Sequence, residues 1–172
     1  MSGLIHIYCG DGKGKTTASV GLAVRAAGSG KKVLFTQFFK NGSSSEIGVL
    51  KSIPGIKIHV NEKYFGLYIR MSEEEKEEAR IAYTKLLNEV LAMAKDYDLL
   101  ILDEAISSCN HGTIPEDLVV DFIRRKPDNL EVVLTGRNPS ERLVEIADYV
   151  SEVKKIKHPM DDGIIARKGI EF

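Results

Sequence analysis

The chain has 172 residues, of which 43% are hydrophobic and 28% charged, a composition typical of one globular domain. Its formal net charge of −1 gives the molecule no electrostatic reason to coat nucleic acid or an anionic membrane. No basic region followed by a long apolar stretch opens the chain, and its two cysteines form no metal-like or disulfide pattern. We therefore expect a single cytoplasmic domain over residues 1–172 that binds neither nucleic acid nor a membrane.

Short apolar, β-rich runs alternate with longer helical patterns along most of the chain. The expected strands cover residues 4–9, 32–39, 56–60, 98–102, 130–135 and 149–156. The expected helices cover residues 15–27, 116–125 and 140–147, and the longest begins at Ser72, which forms a capping box with Glu75. This alternation predicts an α/β fold, with a mostly parallel sheet flanked by helices and joined by right-handed crossovers.

The turn after the first strand is rich in glycine, since residues 10–17 read Gly-Asp-Gly-Lys-Gly-Lys-Thr-Thr. Glycines allow a tight turn whose backbone N–H groups point at phosphate oxygens, and the following helix adds the positive end of its dipole. A lysine and a threonine at the helix start can bind phosphate and Mg²⁺. Cys9 stands where the generic phosphate loop has its first glycine. The expected ATP-binding residues of this loop are Gly10, Asp11, Gly12, Lys13, Gly14, Lys15, Thr16 and Thr17.

A second phosphate-site signal is the run Leu-Leu-Ile-Leu-Asp-Glu at residues 99–104. A buried parallel strand would deliver Asp103 and Glu104 to the carboxyl edge of the sheet, where ligands of open α/β folds bind. One carboxylate can bind Mg²⁺ directly or through water, and the other can orient it. Together with the loop, this run predicts a P-loop NTPase (RecA-like) three-layer sandwich with a metal site at Thr16, Asp103 and Glu104.

Three further polar residues follow expected strands. Gln37 and Lys40 come after the second strand, and Arg137 follows a Thr-Gly turn. Side chains at these strand ends can contact a ligand, and we expect Gln37 and Arg137 to contact ATP. The alternative for each is an exposed loop residue. The histidines are scattered through the sequence without the paired spacing of a metal site.

Taken in order, these blocks resemble the corrinoid adenosyltransferase family, the P-loop type of ATP:cob(I)alamin adenosyltransferase of cobalamin biosynthesis. The short loop is similar to that family's own loop, and residues 37–42, Gln-Phe-Phe-Lys-Asn-Gly, resemble the segment after its second strand. Residues 102–104 match its acidic strand end, and residues 135–137 match its Thr-Gly-Arg turn. Parts of residues 147–170 resemble its closing segment, so the resemblance covers nearly the whole chain.

The resemblance implies a reaction at carbon rather than at phosphorus. The reduced cobalt of a corrinoid attacks the 5′ carbon of ATP, and triphosphate leaves; in this family the nucleotide lies in the loop in the opposite sense from ordinary P-loop enzymes. The resemblance also implies Mg²⁺, a homodimer and a reductase that supplies electrons. The residues that it implies are Lys15, Thr16 and Glu104 for catalysis and Lys40, Phe65 and Tyr68 for the corrinoid.

The sequence departs from the family's pattern at two points. It contains no tryptophan, and Leu67 stands where a well-known branch of the family has the Trp of a Phe-x-Trp pair, whereas Phe65 matches the Phe. In that branch the pair helps to expel the lower ligand of cobalt. Phe65, Tyr64 and Tyr68 can line the corrinoid or belong to the core. The chain also begins at once with its first strand, whereas longer relatives carry an amino-terminal helix that helps to close the site.

Two other classes of protein share some of these motifs. A P-loop kinase acting on a nucleoside or small molecule would have the same loop and acidic strand end, but it would release ADP rather than triphosphate. A non-catalytic ATP-gated module that binds a corrinoid or nucleic acid would change neither ligand covalently. A GTPase is disfavoured because the sequence has no Asn-Lys-x-Asp motif that could recognise guanine.

Overall fold

The computed structural model describes residues 2–40 and 42–171, so Met1, Asn41 and Phe172 lie outside the described residues. The helices and strands, in chain order, are β1 (Ile5–Cys9), α1 (Lys15–Gly28), β2 (Val33–Gln37), α2 (Ser45–Ser52), β3 (Ile56–Ile58), α3 (Glu73–Met93), β4 (Leu99–Asp103), α4 (Ala105–Asn110), α5 (Glu116–Arg125), β5 (Glu131–Thr135), α6 (Glu141–Glu145) and β6 (Tyr149–Glu152). Short 3₁₀ turns cover Tyr68–Arg70, Ala94–Asp96 and Pro159–Asp162.

The six strands form one sheet in the order β3-β2-β4-β5-β1-β6, and every neighbouring pair is parallel. In a parallel sheet the carboxyl ends of all strands meet at one edge. The register places Gln37 of β2 opposite Asp103 of β4. The end of β1, which leads into the glycine-rich loop, lies at the same edge. The sequence-based prediction of an α/β fold with a parallel sheet is therefore confirmed.

Helices cover both faces of the sheet, because the buried strands alternate their side chains between two cores. On β4, Leu100 and Leu102 pack in a large cluster that includes Tyr83 of α3. Leu99 and Ile101 point to the other face and pack in a smaller cluster with residues of α1 and α2. Helix, sheet and helix thus form the three layers that the sequence predicts.

The longest helix begins as expected. The Ser72 hydroxyl accepts a hydrogen bond from the N–H of Glu75 at 3.2 Å, and the Glu75 carboxylate accepts one from the N–H of Ser72 at 2.8 Å. This capping box satisfies two backbone donors that a helix start would otherwise leave unpaired. The buried residues of the helix are Ala79, Tyr83, Leu86, Leu87 and Val90.

Several boundaries differ from the sequence-based prediction. Helices α2 and α4 fall in segments for which no element was expected. Strand β2 ends at Gln37 rather than residue 39, and Phe39 has a φ of 56°, which extended backbone does not allow. Strand β6 ends at Glu152 rather than residue 156, because the chain there turns over the glycine-rich loop. No helix within the described ranges is long and apolar enough to cross a membrane.

Replacing Gly10 by alanine should destabilise the fold by about 2 kcal/mol or more. The added Cβ would lie 2.4 Å from the carbonyl oxygen of Val153, and the φ of Gly10 is +105°, in the region that favours glycine. Gly21→Ala is the matched control, because a Cβ there meets nothing within 4 Å on helix α1, and alanine should stabilise the helix by about 0.5–1 kcal/mol. Urea denaturation checks both values, and a Gly10→Ala protein as stable as the wild type would contradict this account of the loop.

Candidate active site

The glycine-rich loop is fixed by the chain segment that follows β6. The N–H of Gly12 donates to the carbonyl oxygen of Val153 at 2.8 Å, and the N–H of Val153 donates to that of Cys9 at 2.8 Å. The Asp11 carboxylate accepts from the N–H of Lys155 at 3.0 Å. The backbone donor of Gly12 is therefore used to shape the loop in this conformation, a contact that the loop sequence does not predict.

Lys15, the first residue of α1, is 8% exposed and folds back on its own loop. Its ammonium donates to the carbonyl oxygen of Gly12 at 2.8 Å. Burial lowers the pKa of Lys15, and the nearby carboxylate of Glu104 opposes that shift. A buried ammonium with a single protein hydrogen-bond acceptor among the described residues is well placed to bind an incoming anion.

Asp103 is the most connected side chain of the site, and it is fully buried. One carboxylate oxygen accepts hydrogen bonds from the hydroxyls of Thr135 at 2.7 Å and Thr16 at 3.0 Å. The other accepts from the Gln37 amide at 3.2 Å and the Lys40 ammonium at 3.3 Å. The structure thus brings together Thr16, Gln37, Lys40 and Asp103, which the sequence singled out in three separate segments.

Glu46 belongs to this cluster, although no sequence motif pointed to it. Its carboxylate accepts a hydrogen bond from the Gln37 amide at 3.1 Å and lies 3.9 Å from the Lys40 ammonium. The residue lies near the start of α2, a helix that the sequence pattern does not predict. Glu46 therefore adds a second carboxylate beside Asp103.

Among the residues that the structure describes, three non-glycine residues near the site have a positive φ, and each follows a strand that ends at the same edge. Phe39 follows β2 with a φ of 56°, Glu104 follows β4 with 60°, and Asn138 follows β5 with 50°. The N–H of Glu104 donates to the Thr135 hydroxyl at 2.9 Å, which helps to fix this turn. Backbone conformations of this kind cost about 1–3 kcal/mol each and cluster at functional sites.

A cavity of about 610 Å³ opens over the glycine-rich loop. Residues 11–17 line its floor, and Glu104 and Arg137 reach it from the ends of β4 and β5. Lys40 and Glu46 line the side formed by α2 and the segment before it. Cavities of about 300–1,000 Å³ are typical of small-molecule sites, so this one has room for a nucleotide.

Some predicted site residues lie outside the lining of this cavity. Gly10, Gln37 and Asp103 do not line it. Asp103 accepts hydrogen bonds from Thr16 and Lys40, which do line it, and from the Gln37 amide. Phe65 packs edge-to-face on Tyr83, with ring centroids 5.6 Å apart. Tyr68 stacks on His111, with ring centroids 4.4 Å apart.

The donor set fits Mg²⁺ bound together with phosphate. Within residues 2–40 and 42–171, no group of three or more His, Cys, Asp or Glu side chains could hold a metal alone. Mg²⁺ takes oxygen ligands, keeps several waters, and is commonly held by one or two carboxylates plus substrate phosphates. The Thr16 hydroxyl beside the buried Asp103 carboxylate supplies such oxygens.

The chain's carboxyl-terminal tail forms the remaining wall of the cavity. His158, Gly169, Ile170 and Glu171 line it, although the tail residues show no periodic pattern. Arg167 links the two ends of residues 167–171 in this tail, because its guanidinium donates to the Glu171 carboxylate at 3.0 Å and 3.2 Å. These bonds lower the pKa of Glu171 to about 2.

Comparison with known proteins identifies the family. A sequence profile described as "ATP:corrinoid adenosyltransferase BtuR/CobO/CobP" matches residues 1–172. The chain belongs to this family. The earlier resemblance is thus confirmed, and the chain is a transferase whose family description names ATP and a corrinoid. The kinase and the non-catalytic module are disfavoured.

Named relatives cover almost the whole chain. The corrinoid adenosyltransferase of Pseudomonas aeruginosa is 33% identical over an alignment that covers 99% of this chain and 84% of that protein. The corrinoid adenosyltransferase of Escherichia coli K12 is 32% identical over 99% of this chain and 86% of its own length. "Corrinoid adenosyltransferase CobA" of Salmonella typhimurium is 31% identical, with the same coverage of 99% and 86%.

A solved structure supports the fold. The KaiC-like protein PH0186 of Pyrococcus horikoshii OT3 superposes with a TM-score of 0.52, over 89% of this chain and 73% of that one, at 14% identity. At this identity the likeness shows the fold alone. It agrees with the three-layer α/β sandwich that the sequence predicts for this chain.

In this adenosyltransferase, Ile170→Ala should raise the KM for ATP several-fold and leave kcat nearly unchanged. Ile170 lines the cavity wall, so its truncation removes apolar contact with the bound nucleotide worth about 1 kcal/mol. Ile165→Ala is the matched control, because Ile165 belongs to the same tail but does not line the large cavity. Steady-state kinetics with ATP as the varied substrate measure the KM of both variants. Equal KM values for Ile170→Ala and Ile165→Ala would rule out a nucleotide contact by Ile170.

Proposed function

We propose that this chain transfers the 5′-deoxyadenosyl group of ATP to the cobalt of a reduced corrinoid, cob(I)alamin or a related one, in the cytoplasm. The observation that carries the proposal is that Lys15 and Thr16 lie at the floor of one nucleotide-sized cavity, with the buried Asp103 carboxylate hydrogen-bonded to Thr16, in a chain of this family. The electron pair of cobalt(I) forms a bond to C5′, the C5′–O5′ bond breaks, and triphosphate leaves with that bond's electron pair.

Because cobalt(I) is already a strong nucleophile, the protein needs only to bind and orient the substrates and to stabilise the negative charge of the leaving triphosphate. The Lys15 ammonium would leave the Gly12 carbonyl oxygen and bind the triphosphate, with Arg137 reaching it from the other side of the cavity. Mg²⁺ bound near Thr16, Asp103 and Glu104 would supply further positive charge to the leaving group. The loop and the tail would hold C5′ in line with cobalt.

The corrinoid would lie over the open mouth of the cavity. We propose Lys40, Phe65 and Tyr68 as its contacts. Tyr68 packs on Phe39 and His111, and Phe65 joins this aromatic group through Tyr83. Both Phe65 and Tyr68 are partly buried against the core. Lys40 must leave Asp103 before it can reach the corrinoid.

A homodimer and a reductase are the proposed protein partners. The edge strand β6 is exposed along its whole length, and Tyr149 and Val150 on it are 50% and 47% exposed. Exposed apolar side chains on an unpaired strand edge favour association with another surface. Sedimentation velocity of the purified chain tests the dimer.

Anaerobic incubation with ATP and chemically reduced cob(I)alamin tests the proposed activity. We expect the absorption spectrum of an adenosylated corrinoid, together with one equivalent of triphosphate for each corrinoid converted. A P-loop kinase would release ADP, and a binding module would return both ligands unchanged. Either of those results would overturn the proposal.

A further inference from the structure

The Lys40 ammonium lies among oxygens that resemble the ligands of a divalent cation. It is 3.3 Å from an Asp103 carboxylate oxygen, 3.5 Å from the Thr16 hydroxyl and 3.9 Å from a Glu46 carboxylate oxygen. Hydroxyl and carboxylate oxygens of this kind are those that Mg²⁺ prefers. The positive charge of Lys40 thus lies where the metal is proposed to bind.

A positive charge at this point stabilises the site when no nucleotide is bound. Asp103 is fully buried, and a buried carboxylate is strongly unfavourable unless a counter-charge or hydrogen bonds compensate it. The Lys15 ammonium donates instead to the Gly12 carbonyl oxygen. Among the ion pairs within the described ranges, Lys40 supplies the one to Asp103.

Lys40 can also leave this position at small cost. Its side chain is 29% exposed, and it lies in the segment between β2 and α2 rather than inside either element. A lysine has a long flexible stem and three rotatable donors, which suits an exchangeable contact. Lys40 also lines the cavity, so a ligand that enters can draw its ammonium away from Asp103.

We infer that Lys40 is the resident counter-cation of the nucleotide-free site, which Mg²⁺ must displace in order to bind. Free divalent cations are then rejected, and the metal enters with ATP, whose phosphates attract the displaced ammonium. Metal and nucleotide binding become cooperative, because each removes an obstacle to the other. Lys40 acts as a positioning residue in this role, and the inference rests on the proposed magnesium site.

Binding of Mn²⁺ without nucleotide tests this inference, with the free metal measured by electron paramagnetic resonance. We expect Lys40→Met to bind Mn²⁺ at least tenfold more tightly than the wild type. Lys40→Gln should also bind Mn²⁺ more tightly than the wild type. Because its amide can still donate to Asp103, this variant controls for a loss of folding. Lys40→Arg keeps the charge and should keep the weak binding of the wild type.

Lys85→Met is the control for net charge, because Lys85 is an exposed lysine of α3 with a side chain 76% exposed. Its Mn²⁺ affinity should equal that of the wild type. With saturating ATP and no corrinoid, protein-bound Mn²⁺ is separated from the Mn²⁺·ATP complex in solution by ultrafiltration. The difference in affinity between Lys40→Met and the wild type should then shrink to about threefold or less, since ATP holds Lys40 away from Asp103.

The outcomes separate the inference from the metal site on which it rests. Equal Mn²⁺ affinities of Lys40→Met, Lys40→Gln and the wild type without ATP, with tight binding by all when ATP is present, would overturn the role of Lys40 and leave the metal site intact. Equally tight binding by Lys40→Arg and Lys40→Met would also overturn it. An absence of Mn²⁺ binding by every protein, even with ATP, would overturn both proposals.

Discussion

Replacing Lys15 by alanine should lower kcat/KM for ATP by about 10²- to 10³-fold and weaken nucleotide binding. The Lys15 ammonium is a full charge buried at the floor of the cavity, and a preorganised charge aimed at a leaving group contributes an effect of this size. Steady-state kinetics and calorimetric titration with ATP measure the two effects. Lys13→Ala, on the same loop but exposed, should lose about tenfold or less.

Removing the charge of Lys15 while keeping its apolar stem should not destabilise the nucleotide-free protein. Burial lowers the pKa of Lys15 in the folded state, so the protonated lysine opposes folding at neutral pH. That penalty decreases as the pH rises through the folded pKa toward the unfolded value. We therefore expect Lys15→Met to melt at or above the wild-type temperature at pH 7 while its turnover is lost. Wild-type affinity for ATP and wild-type turnover in Lys15→Ala would refute the assignment of the loop.

Asp103→Ala should lower the free energy of unfolding by about 3–5 kcal/mol, in addition to reducing turnover. The substitution leaves the buried donors of Thr135 and Gln37 without their shared acceptor. Each buried donor left unsatisfied costs about 1–3 kcal/mol. Denaturation in urea, followed by circular dichroism, measures the change.

Asp98→Ala is the matched control, because Asp98 immediately precedes the same strand. Its carboxylate accepts one exposed hydrogen bond, from the N–H of Lys32 at 2.8 Å. Losing that bond should cost about 1 kcal/mol. If Asp103→Ala and Asp98→Ala lost the same free energy of unfolding, Asp103 would not be the centre of a buried network.

The sequence predicts those parts of the site that depend on local patterns. The loop at residues 10–17 carries its own conformational requirements in its glycines, and helix α1 begins at Lys15 as expected. The apolar run before Asp103 identifies a buried strand, and the parallel sheet then places its end beside the loop. For these residues, chain order and strand direction suffice to predict their place in the site.

Other parts of the site depend on contacts between distant segments. Helix α2 follows a serine-rich segment and buries only Ile47 and Leu50, so its packing against the sheet stabilises it more than its sequence does. Glu46 was missed for that reason. The segment that leads to the tail crosses the loop through hydrogen bonds of Val153 with Cys9 and Gly12, and no local periodicity reveals these contacts or the tail's place in the cavity wall.

The position of bond cleavage in ATP tests the central claim most directly. ATP labelled with ¹⁸O at the 5′ oxygen should be incubated anaerobically with cob(I)alamin and the protein, and the products analysed by mass spectrometry. Attack on C5′ breaks the C5′–O5′ bond, so the label should appear in the released triphosphate and be absent from the adenosylated corrinoid. Label retained on the nucleoside, together with release of ADP or phosphate, would mean attack at phosphorus and would contradict the account.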